Sequence, residues 1–226
     1  MTKVPGYLVH LFTTSGVVCS FFAVLAADKG EFQVAFGWMF LAMVIDTLDG
    51  SMARRINIRE MIPKIDGHYL DLVVDYVSFV FLPAIVLYKM GALPEPFNFL
   101  AVILILVSGS YNFALANDTS DDGYFVGFPA AWHVLVMYFY LFESSPMVVG
   151  SIVGVAFVLH FVPLKFVYIT KNIPYPVVTF PMILIWMGIS VWSLVVGPPL
   201  PSWLAGCMLV CPAYFLGLGF WAGVAR

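Results

Sequence analysis

Between positions 46 and 75 the sequence places four aspartates at helical spacing. Asp46 and Asp49 are three residues apart, and Asp71 and Asp75 are four apart. On an α-helix each pair points to one face. Two such helices facing each other gather four carboxylates around one small volume, and like charges share that space only when cations hold them. Oxygen-only ligands favour magnesium, manganese or calcium. Gly50 and Gly67 lie one helical turn from Asp46 and Asp71, leaving bare backbone where a bulky ligand can approach. Arg54, one turn beyond Gly50, is placed to clamp a phosphate; its rival role, shared with Arg55 and Arg59, is a solvated anchor at the membrane edge. Two metal ions flanked by an arginine and open backbone suit phosphoryl transfer, where catalysis is mostly charge neutralisation and positioning.

The elements that must hold these groups are membrane helices. Hydrophobic residues fill 62% of the 226 positions, only 10% are charged, and the mean hydropathy is +0.98. That balance implies an all-α, polytopic transmembrane bundle forming one integral-membrane domain over residues 1–226. Apolar runs of spanning length fall at 8–27, 34–53, 68–87, 97–116, 147–166, 177–196 and 203–224. A shorter run at 129–142 is expected to begin nearer 124, giving eight spanning helices, with seven as the fallback. The first run reads as a retained helix rather than a signal peptide, since no small-residue cleavage site follows it. With an internal N-terminus, Lys3, Arg54, Arg55, Arg59, Lys64, Lys165, Lys171 and Arg226 fall on one side, and only Lys29 and Lys89 on the other. The positive-inside rule then puts both termini, and all four aspartates, at the cytoplasmic end of the membrane. An aspartate at mid-bilayer costs about 2.5–3.5 kcal/mol on insertion scales, so four of them imply function.

Other features admit two readings each. Cys19, Cys207 and Cys211 all lie in apolar runs and read as small core residues. Gly150–Gly154 and Gly219–Gly223 have the small-xxx-small spacing that suits helix contacts, including those of a homodimer. Thr13 and Ser15 near the start of the first helix either contact a nucleotide or bond their own helix carbonyls. Between Tyr111 and Trp132, three acidic residues (Asp118, Asp121 and Asp122) are flanked by a dense group of aromatics. Aromatic faces and negative charge hold a quaternary ammonium, although aromatics also gather at membrane interfaces for other reasons. Intramembrane carboxylates also mark ion pathways, which keeps a cation transporter or channel as an alternative. A net charge of −3 and ten basic residues point to no nucleic-acid partner.

The residues Asp46, Asp49, Gly50, Ala53, Arg54, Gly67, Asp71 and Asp75 resemble the signature of the CDP-alcohol phosphotransferase superfamily. These are membrane enzymes with a six-helix core that displace CMP from a CDP-linked substrate with an alcohol. The resemblance implies that Asp46, Asp49, Asp71 and Asp75 hold two Mn2+ or Mg2+ ions and that Asp75 also removes the acceptor hydroxyl proton. It further implies that Gly50, Ala53, Arg54, Gly67 and Thr13 contact CDP-diacylglycerol. The spacer between Arg54 and Gly67 is about one helical turn longer than most members carry, similar to the bacterial phosphatidylcholine synthases. The same group is resembled by Gly127-Phe128-Pro129 followed by Trp132, and by the turn around Pro163 and Phe166. His133, Tyr168 and Lys171 depart from residues usual there. The likeness implies choline as acceptor, with Tyr111, Tyr124, Phe128, Trp132 and Tyr168 as candidate choline-binding residues. Sister enzymes that use serine or inositol are the alternative. Part of the spacer Arg55–Asp66, which includes the charged and apolar stretch Glu60–Ile65, is expected to lie along the interface as a short helix.

Overall fold

Apolar runs punctuated by glycine, proline and charged turns become eight helices among the described residues, which in this computed structural model are 4–115, 125–163, 165–166 and 175–224. They are α1 (Val4–Asp28), α2 (Phe32–Arg55), α3 (Gly67–Met90), α4 (Phe97–Ala114), α5 (Trp132–Leu141), α6 (Pro146–Phe161), α7 (Pro176–Val196) and α8 (Ser202–Val224). A single helical turn, Ile58–Met61, sits in the spacer between α2 and α3. Five helices (α1, α2, α3, α4 and α7) are long and apolar enough to cross a membrane; α5, α6 and the Ser202–Leu218 stretch of α8 are shorter. The chain is therefore a helical, multi-pass membrane protein.

Two boundaries differ from expectation. The helix expected to begin near 124 starts at Trp132, because Gly127 adopts φ +93 and Pro129 lacks the amide a helix needs. The run expected to reach 166 stops at Phe161, just before Pro163, and Lys165–Phe166 instead pairs antiparallel with Phe125–Val126. Cys207 is exposed rather than a core residue; Cys19 and Cys211 are buried as expected.

The chain divides into two compact units, residues 1–91 with 131–136 and residues 92–130 with 137–226. In the first, α1 packs along α2 through Cys19, Ala42 and Ile45, with Phe12 and Trp38 against them. Gly16 lets α1 approach α3 closely, since a Cβ there would lie 3.0 Å from the Val74 side chain. One turn further on, the buried Ser20 and Ser78 hydroxyls share a hydrogen bond of 2.9 Å. In apolar surroundings such a pair fixes the register of two helices. At the far ends of the same helices, Lys89 Nζ meets the Asp28 carboxylate at 2.6 Å.

α3 is not uniformly α-helical. Residues Val77–Phe81 form a π-helical segment in which the Leu82 amide donates to the Val77 carbonyl five residues back. Pro83 explains its position: proline cannot donate to the carbonyl four residues earlier and clashes with it, and a widened turn relieves both problems.

In the second unit, the Gly127-Phe128 turn is held from two sides. The Asn112 side-chain amide donates to the Phe128 carbonyl at 3.2 Å, and the Phe128 amide donates to Leu159 O at 3.2 Å. Tyr138, Trp186 and Met208 form a polar chain: the Trp186 indole donates to the Tyr138 hydroxyl at 2.7 Å, which donates to the Met208 carbonyl at 2.8 Å. Gly150 faces Leu93 within the same unit, a Cβ there lying 3.3 Å from it, whereas Gly154 faces open space.

Candidate active site

α2 and α3 bring the aspartates together as their spacing requires. One carboxylate oxygen each from Asp46, Asp49 and Asp71 lies within 4.8 Å of the others. The fourth, Asp75, is one turn beyond Asp71, and its carboxyl meets that of Asp46. Asp49 is buried, only 5% exposed, and the other three are half-buried. The second oxygen of Asp75, Oδ1, is buried with no hydrogen-bond partner. Four converging carboxylates, one with an unpartnered oxygen, are costly to desolvate without positive charge. The all-oxygen donor set fits hard divalent cations.

Beside this cluster a cavity of about 520 Å³ opens in the first unit. Asp49 and Asp71 line it, with Gly50, Ala53, Arg54 and Gly67; Asp46 and Asp75 do not. The Arg54 side chain folds back over Gly50, where a Cβ would come within 3.3 Å of Nη1. Thr13 on α1 also reaches the cavity: its hydroxyl donates to the Val9 carbonyl at 3.2 Å while lying beside the Asp49 carboxyl. Ser15 bonds the Phe12 carbonyl, so for Ser15 the helix-internal reading stands.

A CDP-alcohol phosphatidyltransferase family profile matches residues 7–169. The chain belongs to this family. Among relatives in the CDP-alcohol phosphatidyltransferase family, the phosphatidylcholine synthase of Pseudomonas aeruginosa is 39% identical over 98% of this chain and 93% of its own length. The phosphatidylcholine synthase of Rhizobium johnstonii is 31% identical over 96% of this chain and 90% of its own. That of Borreliella burgdorferi is 30% identical over 80% of this chain and 77% of its own.

All of the candidate metal-, donor- and choline-binding residues fall within 7–169. Tyr111, in the second unit, is 46% exposed with its ring 4.8 Å from that of Phe161. Phe128, half-buried in the same unit, packs edge-on against His160 at 5.3 Å. Trp132 is fully buried in the first unit. Tyr124 and Tyr168, and the acidic residues Asp118, Asp121 and Asp122, lie outside the described residues.

The structure also adds residues that the sequence had not assigned. His10 and His68 line the cavity, His10 stacking over Gly67 so closely that a Cβ there would lie 3.1 Å from its Cε1. His10 is one turn from Thr13 on α1, a signal legible from helical spacing alone. The spacer also contributes a wall through Asn57, Ile58 and Glu60. Within it Ile62 is 2% exposed and fills the space left by Gly6, where a Cβ would stand 2.7 Å from Ile62 Cδ1, while Ile65 is exposed.

Proposed function

We propose that the chain is a phosphatidylcholine synthase, transferring the phosphatidyl group of CDP-diacylglycerol to choline and releasing CMP. The observation that carries this reading is the convergence of four α2 and α3 carboxylates beside a cavity open to a nucleotide-sized ligand. The near-full-length similarity to relatives named phosphatidylcholine synthase supports choline as the acceptor.

Asp46, Asp49, Asp71 and Asp75 would hold two divalent cations, Mn2+ or Mg2+, whose positive charge would offset the diphosphate and make the reacting phosphorus more electrophilic. Arg54 adds a cationic contact to a phosphate, and Gly50, Ala53, Gly67 and Thr13 shape the walls for the CDP end of the donor. The Asp75 carboxylate accepts the choline hydroxyl proton as the oxygen attacks the phosphorus attached to diacylglycerol. The bond from that phosphorus to the CMP phosphate oxygen breaks, and CMP leaves with the electron pair. Tyr111, Tyr124, Phe128, Trp132 and Tyr168 are the candidate aromatic lining for the trimethylammonium. The charge bias of the termini and turns supports eight spans in the bacterial inner membrane, with the site facing the cytoplasm. Small-residue spacing leaves a homodimer as a candidate assembly.

The test is CMP release by purified protein supplied with CDP-diacylglycerol, a divalent metal and a panel of choline, ethanolamine, serine and inositol. Choline should be the fastest acceptor. Faster release with serine or inositol would keep the family and remove the acceptor assignment.

A further inference from the structure

The spacer wall of the cavity has no part in the reaction outlined above, yet its side chains are sorted. Ile62 is 2% exposed and fills the space beside Gly6, and Ile58, 9% exposed, belongs to the cavity wall. Asn57 and Glu60, three residues apart on the same turn, are exposed and line the cavity beside it. The Glu60 amide closes the turn on the Asn57 carbonyl at 3.0 Å, and Asn57 takes a left-handed conformation, φ 49, that asparagine tolerates better than most residues. Two buried isoleucines thus hold the turn in place, and a carboxylate and an amide are presented to the cavity.

Glu60 stands out chemically. Among the described residues lining the cavity it is the one carboxylate outside the aspartate signature. An acid in a diphosphate site repels its ligand unless it receives a hydrogen bond from it. Position narrows the donor. From Asp49 to the end of α2 at Arg55 is six residues, about 9 Å at the α-helical rise, and the spacer lies beyond that. A ligand with its diphosphate at the aspartates and its nucleoside along the spacer side of the cavity meets Asn57 and Glu60.

We propose that Asn57 and Glu60 read the base of the nucleotide donor and select cytosine over uracil. This rests on the CDP-linked donor of the proposed function. Cytosine presents an exocyclic amino donor beside two acceptors, N3 and O2. The Glu60 carboxylate accepts from the amino group, as acidic side chains do when they read cytosine, and the Asn57 amide donates to an adjacent acceptor. Uracil presents a carbonyl oxygen in place of the amino group, which sets two acceptors against each other at Glu60. A site built to receive a hydrogen bond rejects a ligand that cannot give one.

The experiment measures CMP and UMP binding to the full-length protein in nanodiscs with Mg2+, by calorimetry, and turnover of CDP- and UDP-diacylglycerol with choline. Wild type should prefer cytidine nucleotides by at least about tenfold, the scale of one lost hydrogen bond to a charged group. Glu60→Gln, whose amide can face either base, should bring the two within about threefold by recovering UMP. Asn57→Gly, which keeps the left-handed backbone, should weaken CMP by about tenfold and UMP by less. Thermal midpoints should stay at the wild-type value in both variants, since neither side chain is buried. An unchanged CMP-to-UMP ratio in Glu60→Gln overturns the proposal. So does an equal loss of both nucleotides, which would move the contact to the ribose. Failure of the donor reading itself appears separately, as wild-type protein that binds neither nucleotide, and takes this inference with it.

Discussion

The imidazole of His10 sits over the bare Cα of Gly67, so close that a methyl group there would lie 3.1 Å from Cε1. A contact that tight leaves two outcomes for Gly67→Ala: the histidine moves, or the start of α3 moves with Asp71 one turn behind it. We predict that Gly67→Ala lowers kcat/KM for CDP-diacylglycerol by at least about tenfold, since small displacements at a reacting centre are costly. Gly67→Ala combined with His10→Ala, which removes the obstructing ring, should recover part of the loss. A single variant with wild-type kinetics would show that this contact does not shape the cavity.

Removing carboxylates should separate two roles. Asp46→Asn and Asp71→Asn are expected to lose activity and metal binding together, because in the proposed function both are metal ligands with no substitute. Asp75→Asn should lose turnover while largely keeping CDP-diacylglycerol affinity, as it removes the base and one shared ligand. Chelator should abolish turnover and added Mn2+ or Mg2+ restore it. Full activity in chelator, or normal turnover by Asp75→Asn, would overturn the mechanism.

The order of the eight helices and the meeting of the four aspartates were legible in the sequence, because hydropathy sets span-like segments and three- and four-residue spacing sets a helix face. The start of α5 was misplaced because an apolar stretch does not reveal that Gly127 has a positive φ and is tied through Phe128 to Asn112 and Leu159. The inward turn of Ile62 was equally hidden. It depends on the missing side chain of Gly6, some fifty-six residues away in sequence, and no local pattern encodes a cavity filled from another helix.

That packing gives a stability prediction. Ile62→Ala should cost about 2–5 kcal/mol, the range for truncating a buried aliphatic side chain where the surroundings cannot collapse. Thermal unfolding in detergent should show the lower midpoint, and nucleotide binding should weaken as the spacer wall loosens. An unchanged midpoint would mean the wall is held otherwise.

Orientation can be read by cysteine labelling. After replacement of Cys19, Cys207 and Cys211, a cysteine at Lys64 should react from the cytoplasmic side and one at Gly91 from the outer side, both positions being exposed. Labelling of both from one face would contradict α3 crossing the membrane.

For the acceptor, Trp132→Ala and Tyr111→Ala should both raise choline KM with little effect on CDP-diacylglycerol binding, a desolvated cation–π contact being worth about 2 kcal/mol. The two substitutions should differ in stability. Trp132 is fully buried, so its removal is expected to cost about 3–5 kcal/mol, whereas Tyr111 is 46% exposed and its loss should be milder. Trp132→Leu, which removes the ring but keeps an apolar side chain, separates the two effects: a normal choline KM in Tyr111→Ala and Trp132→Leu alike would remove these aromatics from the acceptor site.

The π-helical segment in α3 bears on how the enzyme tolerates insertions and deletions. Each residue advances an α-helix by about 100°, and the wide turn at Val77–Phe81 takes up one extra residue over about the same rotation, which keeps the half that carries Asp71 and Asp75 in phase with the half that begins at Pro83. Losing one residue inside the wide turn would let the helix run on in ordinary α-form with the aspartates still facing α2, whereas losing one residue from the regular turns between Asp75 and the wide turn would swing them about 100° relative to the packing beyond Pro83. The segment is thus the one place in α3 where a residue can be removed without turning the aspartates, and none of its five side chains belongs to the carboxylate cluster.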